Sequence, residues 1–208
     1  MKHRPLVVMS VALLGLGILA GCSSGESGSS VATTASRSAA SATDVAFAQS
    51  MIPHHEQAVE MADMALTADS SASEDVQRLA EQIQAAQGPE IQQMTGWLES
   101  WGTPTTMPGA TDADGMQGMD HSGHDMGGVM VAGMMTAEQM QQLEQASGEQ
   151  FDDMWLTMMI AHHQGAIAMA QQAQASSNPE VAALADAIVT AQREEIQVMQ
   201  ELLTEDSP

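Results

Sequence analysis

The chain has 208 residues, a length that suits one compact domain with extensions. Hydrophobic residues make up 44% of it and aromatic residues only 2%, so Ala, Leu, Ile and Met must fill any core. The formal net charge of −22 argues against nucleic acid as a partner, because phosphate binding requires clustered cations. The sequence contains no nucleophile elbow, phosphate-binding loop or basic aromatic patch, so hydrolase and nucleotide-binding functions have no support.

Residues 1–22 resemble a bacterial lipoprotein signal peptide. A basic start, Lys2 to Arg4, precedes an apolar run from Leu6 to Ala20 that is too short to span a membrane. The run ends in a sequence that resembles a lipobox, whose last residue, Cys22, is the only cysteine. We therefore predict that Cys22 is lipidated and anchors the protein on the extracytoplasmic face of a bacterial membrane. The alternative is an ordinary secreted protein with an unmodified cysteine. Residues 23–43, rich in Ser, Ala, Gly and Thr, predict a flexible tether.

A pattern with helical periodicity occurs twice, at an offset of 108 residues from Asp44 to Asp152. Each copy contains a histidine doublet, first His54-His55 and then His162-His163. The other matched positions are Phe47 with Trp155, Met51 with Met159, Ala58 with Ala166 and Met61 with Met169. A second repeat follows each copy at an offset of 105 and matches Val76, Leu79, Ala80, Ile83, Gln87, Glu90, Ile91 and Met94 with Val181, Leu184, Ala185, Ile188, Gln192, Glu195, Ile196 and Met199.

This duplication predicts an all-α protein in which two helical hairpins form an antiparallel four-helix, ferritin-like bundle over residues 44–204. The first hairpin covers 44–101 and the second 136–204, and a linker at 102–135 joins them. Local signals agree with these bounds. Thr136 and Gln139 have the spacing of a capping box, and Asn178-Pro179 is typical of a helix start.

The histidine doublets lie on the inward faces of their predicted helices. At 100° per residue, the first doublet shares a face with Asp44, Met51 and Met61, whereas Glu56 and Glu60 lie opposite. A lone inward histidine is usually a core residue. Two doublets at equivalent positions favour metal ligands instead.

The second and fourth helices carry polar residues on otherwise apolar faces, namely Gln87 and Glu90 and their equivalents Gln192 and Glu195. A buried carboxylate without a partner is costly, and a histidine, a metal ion or a shared proton would offset the cost. These four residues, together with Asp44 and Asp152, are predicted either as ligands or as partners that orient the imidazoles.

The linker is rich in methionine, although an unstructured segment has no packing reason to be so. Its central part contains Met116, Met119, His121, His124 and Met126. Thioether and imidazole groups suit Cu(I), and the composition therefore predicts a second metal-binding segment. The alternative is a low-complexity linker without this role.

The doublet pattern that starts at Asp44 and the pattern Gln-x2-Glu-Ile-x2-Met that starts at Gln87, each present twice, resemble the domain of unknown function family 305. The resemblance covers residues 44–101 and 136–204. It implies a ferritin-like helical bundle and, because some members are described as copper-binding proteins of periplasmic copper tolerance, a copper-related function. The chain departs from the family pattern at Pro53, at Gly88-Pro89 and in its Met/His-rich linker.

The residue types favour Cu(I) over iron. Carboxylate di-iron bundles use Glu-x-x-His motifs, whereas this chain has Met51-x-x-His54 and Met159-x-x-His162. Sulfur is a softer donor than carboxylate oxygen and suits Cu(I). The predicted metal-binding residues are His54, His55, His162, His163, Met51, Met159, Met61 and Met169. Packing alone would also explain the inward methionines.

We therefore predict an extracytoplasmic metal-binding lipoprotein that binds Cu(I) for sequestration or delivery, without turnover. One alternative is a ferritin-like oxidoreductase that uses iron. Another is a structural module of the cell envelope, in which the histidines satisfy buried carboxylates. The predicted partners are the membrane, through Cys22, and the metal ion. A homo-oligomer and a metal-accepting protein are both left open.

Overall fold

In the computed structural model, residues 40–106 and 132–205 are described, and they form five α-helices. These are α1 (Ala42–Ala65), α2 (Glu74–Trp101), α3 (Ala137–Gln145), α4 (Glu149–Ala173) and α5 (Pro179–Glu205). No strand occurs in this part of the chain, so the all-α prediction is confirmed. The predicted signal peptide, Cys22, most of the tether and the central part of the linker lie outside the described residues.

The helix starts follow from local sequence. Thr136 and Gln139 form the predicted capping box at the start of α3. α5 begins at Pro179, and the side chain of Asn178 accepts a hydrogen bond from the backbone N–H of Glu180. Neither Pro53 in α1 nor Pro89 in α2 ends its helix, since both elements continue past the proline. Packing of the inward faces therefore outweighs the hydrogen bond that each proline removes.

The two hairpins, α1 with α2 and α4 with α5, meet chiefly where α1 packs against α4. One apolar cluster joins the C-terminal half of α1 to the N-terminal half of α4, together with α3, and includes Met61, Ile83, Leu143, Trp155 and Met199. The other joins the N-terminal half of α1 to the C-terminal half of α4 and includes Phe47, Met94, Trp97, Ala170 and Ile188. α1 and α4 are therefore antiparallel, as predicted for a duplicated four-helix bundle.

A buried hydrogen bond adds a polar link between the hairpins. Trp155 in α4 donates its indole N–H to the carbonyl oxygen of Met61 in α1 at 2.8 Å. Within the described part of the chain, none of the helices is both long and apolar enough to cross a lipid bilayer.

Candidate metal centre

Four buried histidines lie between the two apolar clusters. His54 and His55 come from α1, and His162 and His163 from α4, and none is more than 1% exposed. The ring centroids of His54 and His162 are 3.7 Å apart, and those within each doublet are 6.5 Å apart. The contact between α1 and α4 thus brings the two doublets together, and we call these four residues the histidine layer.

One histidine of each doublet pairs with a glutamate. His55 donates its Nε2–H to Glu90 at 2.7 Å, and His163 donates its Nε2–H to Glu195 at 2.6 Å. The glutamate side chains are 19% and 18% exposed, so they reach solvent while the imidazoles do not. Glu90 lies on α2 and Glu195 on α5, so the two pairs are related by the internal duplication.

The other two histidines differ in their contacts. His54 donates its Nε2–H to the carbonyl oxygen of Ala132 at 3.2 Å. Neither ring nitrogen of His162 makes a hydrogen bond of normal geometry among the described residues, although the backbone of His54 lies close enough to counteract slightly the lowering of its pKa. In that same part of the chain, eight buried side-chain atoms lack a hydrogen-bond partner. Five are histidine ring nitrogens, namely His54 Nδ1, His55 Nδ1, His162 Nδ1 and Nε2, and His163 Nδ1. The other three are Gln87 Nε2 and Oε1 and Gln192 Oε1, on residues one turn before Glu90 and Glu195.

The environment keeps the two central imidazoles neutral. Burial, reinforced by the neighbouring histidines, lowers the pKa of His54 to about 3 and that of His162 to about 2. Both rings therefore carry a lone pair at neutral pH. Neutral imidazole is the form that binds metal ions.

The predicted methionine ligands lie on both sides of the histidine layer. Met51, one turn before His54, belongs to one apolar cluster, and Met159, one turn before His162, belongs to the other. Both are fully buried, as is Met61, two turns after His54. Met169 is only partly buried and borders a small groove beside Phe47.

The structure places the two predicted aspartates at helix ends, away from the histidine layer. Asp44 forms a capping box with Ser41 at the start of α1 and accepts a hydrogen bond from the hydroxyl of Ser176 at 2.6 Å. Burial would raise the pKa of Asp44, but the hydrogen bonds from Ser176 and Ser41 outweigh it, and the pKa lies below its usual value. Asp152 accepts the backbone N–H of Ser73 at 3.1 Å. Both carboxylates therefore hold helix termini in place.

A short segment next to the histidine layer has no counterpart in the sequence predictions. This return segment, Ala132–Met135, leads from the linker into α3. Gln57 of α1 donates to the carbonyl oxygen of Met135 at 2.9 Å and accepts its N–H at 2.7 Å. The signals that could have revealed it are two glycines, Gly133 in the linker and Gly165 inside α4, because an unexplained glycine often marks a close backbone approach.

Among residues 40–106 and 132–205, no three His, Cys, Asp or Glu side chains are grouped so that they could hold a metal ion by themselves. The predicted loop residues Met116, Met119, His121, His124 and Met126 lie outside the described residues. The described site is therefore a close pair of neutral imidazoles, flanked by two His–Glu pairs and by buried thioethers.

The fold and the site define a class: a duplicated four-helix bundle with a histidine layer at its centre. The chain belongs to the family DUF305, a domain of unknown function, whose model matches residues 44–203. The predicted resemblance is thereby confirmed. No curated protein matches the chain.

Solved structures resemble the chain over most of its length. A DUF305 protein from Streptomyces coelicolor, described as a predicted secreted protein, is 31% identical with a TM-score of 0.65, covering 78% of this chain and 93% of that one. A DUF305 fragment from Deinococcus radiodurans is 32% identical with a TM-score of 0.66, covering 80% and 98%. CopM in its Cu(I)-bound form is 28% identical with a TM-score of 0.57, covering 78% and 96%. CopM has also been solved in Cu(II)-bound and Ag-bound forms.

Proposed function

We propose that this protein binds a soft metal ion, Cu(I) above all, in the histidine layer, and that it does so outside the cytoplasm to sequester or deliver the ion. The observation that carries the proposal is the set of buried ring nitrogens that lack partners among the described residues, on four imidazoles from two hairpins. His54 and His162 would supply the central nitrogen donors, with His55 and His163 beside them.

The energetics favour a ligand over a purely structural role. Each buried polar atom left without a hydrogen bond costs about 1–3 kcal/mol. A structural module explains the His55–Glu90 and His163–Glu195 pairs, since each satisfies a carboxylate. It offers no compensation for His162, whose two ring nitrogens have no described partner. Metal coordination would satisfy the one ring nitrogen of His162 that carries a lone pair.

The donor types fit Cu(I). No described group of three or more His, Cys, Asp or Glu side chains could hold a metal alone, so a complete site here needs further donors. The buried thioethers of Met51 and Met159 lie one turn from His54 and His162 and are soft ligands. The similarity to CopM, which has been solved with Cu(I), Cu(II) and Ag, supports the same choice.

The iron-dependent oxidoreductase has weaker support. A carboxylate di-iron centre needs several oxygen donors around the metals. Asp44 and Asp152 are engaged at helix ends, and Glu90 and Glu195 already accept hydrogen bonds from the ring nitrogens of His55 and His163. Apart from the amide oxygens of Gln87 and Gln192, the buried donor atoms that remain available are imidazole nitrogen and thioether sulfur.

The proposed location and anchoring rest on the N-terminal sequence. A lipid at Cys22 would hold the protein at the extracytoplasmic membrane surface, and residues 23–43 would tether the bundle to it. Thiolates oxidise readily outside the cytoplasm, so imidazole and thioether groups are suitable donors there for a soft metal. The Met/His-rich linker would supply a second place for the same ion.

An anaerobic Cu(I) competition titration tests this function. We expect the wild-type protein to compete with a chromophoric chelator for Cu(I). A variant with His54, His55, His162 and His163 all changed to Gln should lose that tight binding. A matched variant that keeps the bundle intact but changes Met116, Met119, His121, His124 and Met126 to Leu or Gln should keep it.

The variants separate the alternatives. Loss of tight binding only in the linker variant would make the linker the metal site and the bundle a scaffold. If no form of the protein competes for Cu(I), the copper function is wrong and the structural module becomes the better account. Iron-dependent oxygen consumption by the wild-type protein would favour the oxidoreductase instead.

A further inference from the structure

The return segment lies unusually close to the backbone of α4. A Cβ atom built at Gly133 would lie 2.6 Å from the carbonyl oxygen of Ala161, and the φ angle of Gly133 is +85°. A Cβ atom at Gly165 would overlap the carbonyl oxygen of Ala132. Only glycine at both positions allows the two backbones this approach, because real Cβ atoms essentially never come within 3.0 Å of another atom in this way.

α1 fixes the same segment from its other side. Gln57 makes two hydrogen bonds to the backbone of Met135, one as donor and one as acceptor. Gln57 is one turn from His54 on α1. The segment is therefore held by α1 at Met135 and by α4 at Gly133, and its Ala132 carbonyl oxygen lies 3.2 Å from His54 Nε2.

This contact determines where the hydrogen of His54 lies. A carbonyl oxygen can only accept, so the hydrogen is on Nε2. A neutral imidazole carries a single ring hydrogen, and Nδ1 then has a free lone pair. The buried Nδ1 of His54 indeed has no hydrogen-bond partner in the described residues. Metal-binding histidines commonly donate their other ring N–H to a carbonyl or a carboxylate, which fixes the orientation of the ring.

We propose that the return segment, Ala132–Met135, is part of the metal centre: the Ala132 carbonyl oxygen fixes the hydrogen of His54 on Nε2 and thereby leaves Nδ1 as the atom that binds the metal. The glutamates act in the same way on His55 and His163, whose Nε2 atoms donate to Glu90 and Glu195. Gln57, Gly133 and Gly165 are positioning residues, since they act on His54 through Ala132. This inference rests on the proposed metal-binding function.

The variant Gly165→Ala tests the proposal with a single methyl group. Something must shift to admit the methyl, and the atom it overlaps most is the Ala132 carbonyl oxygen that accepts from His54. Gly96→Ala is the matched control, because a Cβ added at this glycine of α2 meets no described atom within 4 Å. The first readout uses metal-free protein with 15N-labelled histidine, in which a long-range proton–nitrogen NMR spectrum shows which ring nitrogen carries hydrogen. The signals of His54 are assigned from their loss in His54→Gln.

We expect wild-type His54 to carry its hydrogen on Nε2 alone, and Gly165→Ala to show the other tautomer or a mixture. The second readout is the Cu(I) dissociation constant, which should rise roughly 10–100-fold in Gly165→Ala, as for other losses of a group that orients a metal ligand. Gly96→Ala should match wild type in both readouts. If Gly165→Ala does not fold, as judged by circular dichroism, Gln57→Leu removes both bonds to Met135 and decides by the same two criteria.

Hydrogen on Nδ1 of wild-type His54 would overturn the proposal. The proposal would also be overturned if Gly165→Ala and Gln57→Leu both kept the wild-type tautomer of His54 and the wild-type dissociation constant for Cu(I). In that case the proposed function stands, provided the wild-type protein binds Cu(I) tightly and the four-histidine variant does not. If the wild-type protein itself shows no Cu(I) affinity, the proposed function fails, and the metal-binding role of the return segment fails with it.

Discussion

His162 and His163 are adjacent in α4 but differ in the hydrogen bonds of their ring nitrogens. His163 donates to Glu195, whereas both ring nitrogens of His162 are buried without a partner among the described residues. A buried polar atom in this condition reduces the stability of the metal-free protein. If the histidine layer binds metal as proposed, the site costs the metal-free protein some stability, as functional sites often do.

Changing His162 and His163 to leucine should have opposite effects on the free energy of unfolding of the metal-free protein. His162→Leu removes two unsatisfied polar atoms at similar volume and should raise the free energy of unfolding by about 1 kcal/mol. His163→Leu leaves Glu195 without its partner and should lower it by about 1 kcal/mol, since the carboxylate is 18% exposed and keeps some hydration. Urea unfolding at neutral pH with a chelator present measures both. The reverse order of stabilities would contradict the account.

Acid should destabilise the protein through His54 and His162. Their pKa values are about 3 and about 2 in the folded state, below the value of 6.5 expected for an unperturbed histidine. Between pH 6.5 and about 3 the unfolded state binds more protons, so the stability that is present above pH 6.5 is lost as the pH falls. The loss should approach about 1 kcal/mol per pH unit for each histidine.

The double variant His54→Leu/His162→Leu isolates this contribution. Urea unfolding of the metal-free wild type and of this variant, at pH values from 7 down to 4, should give a clearly steeper loss of stability for the wild type. Equal slopes would mean that these two imidazoles are not kept neutral by the fold.

The positions of Asp44 and Asp152 show what helical periodicity cannot determine. Each lies ten residues before its histidine doublet, about 15 Å along the axis at a rise of 1.5 Å per residue. Periodicity indicates the face of a helix on which a residue lies, and both aspartates do lie on the inward face. It does not indicate depth along the bundle, and at their depth the aspartates meet helix ends instead of imidazoles.

Among the helices, the crossing of α1 and α4 brings the histidine doublets together, and the return segment covers part of that crossing.

Substitution of Gly165 tests how tightly the return segment packs against α4. Alanine is the better helix former by about 1 kcal/mol, so Gly96→Ala, where a Cβ meets no described atom, should raise the melting temperature. Gly165→Ala should lower it despite the same propensity gain, because the added methyl overlaps the Ala132 carbonyl. Thermal melts of both variants decide this; a stabilised Gly165→Ala protein would mean that the segment gives way freely.

The sequence was sufficient to predict the helices because their signals are local. The capping box at Thr136, the start at Asn178-Pro179 and the repeated inward stripe all appear in the structure. The return segment was not predictable in this way. Its position depends on Gln57 and Gly165, which are distant in sequence and belong to different hairpins, and nothing in the linker composition specifies that contact.

In the molecule as a whole, a metal ion in the histidine layer would link the two hairpins between the two apolar clusters. A ligand that binds only the folded state stabilises it by about 2.7 kcal/mol at a free concentration 100 times its dissociation constant. We therefore expect Cu(I) to raise the melting temperature of the wild-type protein under anaerobic conditions. It should leave the melting temperature of the four-histidine variant unchanged, and the variant altered only in the linker serves as control. Equal shifts in all three proteins would place the binding outside both the histidine layer and the altered part of the linker.

The most direct test of metal binding by the histidine layer is X-ray absorption at the copper edge. The sample is the Cu(I)-loaded linker variant, in which Met116, Met119, His121, His124 and Met126 are replaced. We expect a coordination shell of imidazole nitrogen and thioether sulfur. The sulfur contribution should fall in a further variant with Met51 and Met159 changed to Leu. A shell without imidazole scattering, or one that is unchanged when His54, His55, His162 and His163 are replaced, would contradict the assignment of the histidine layer as the metal site.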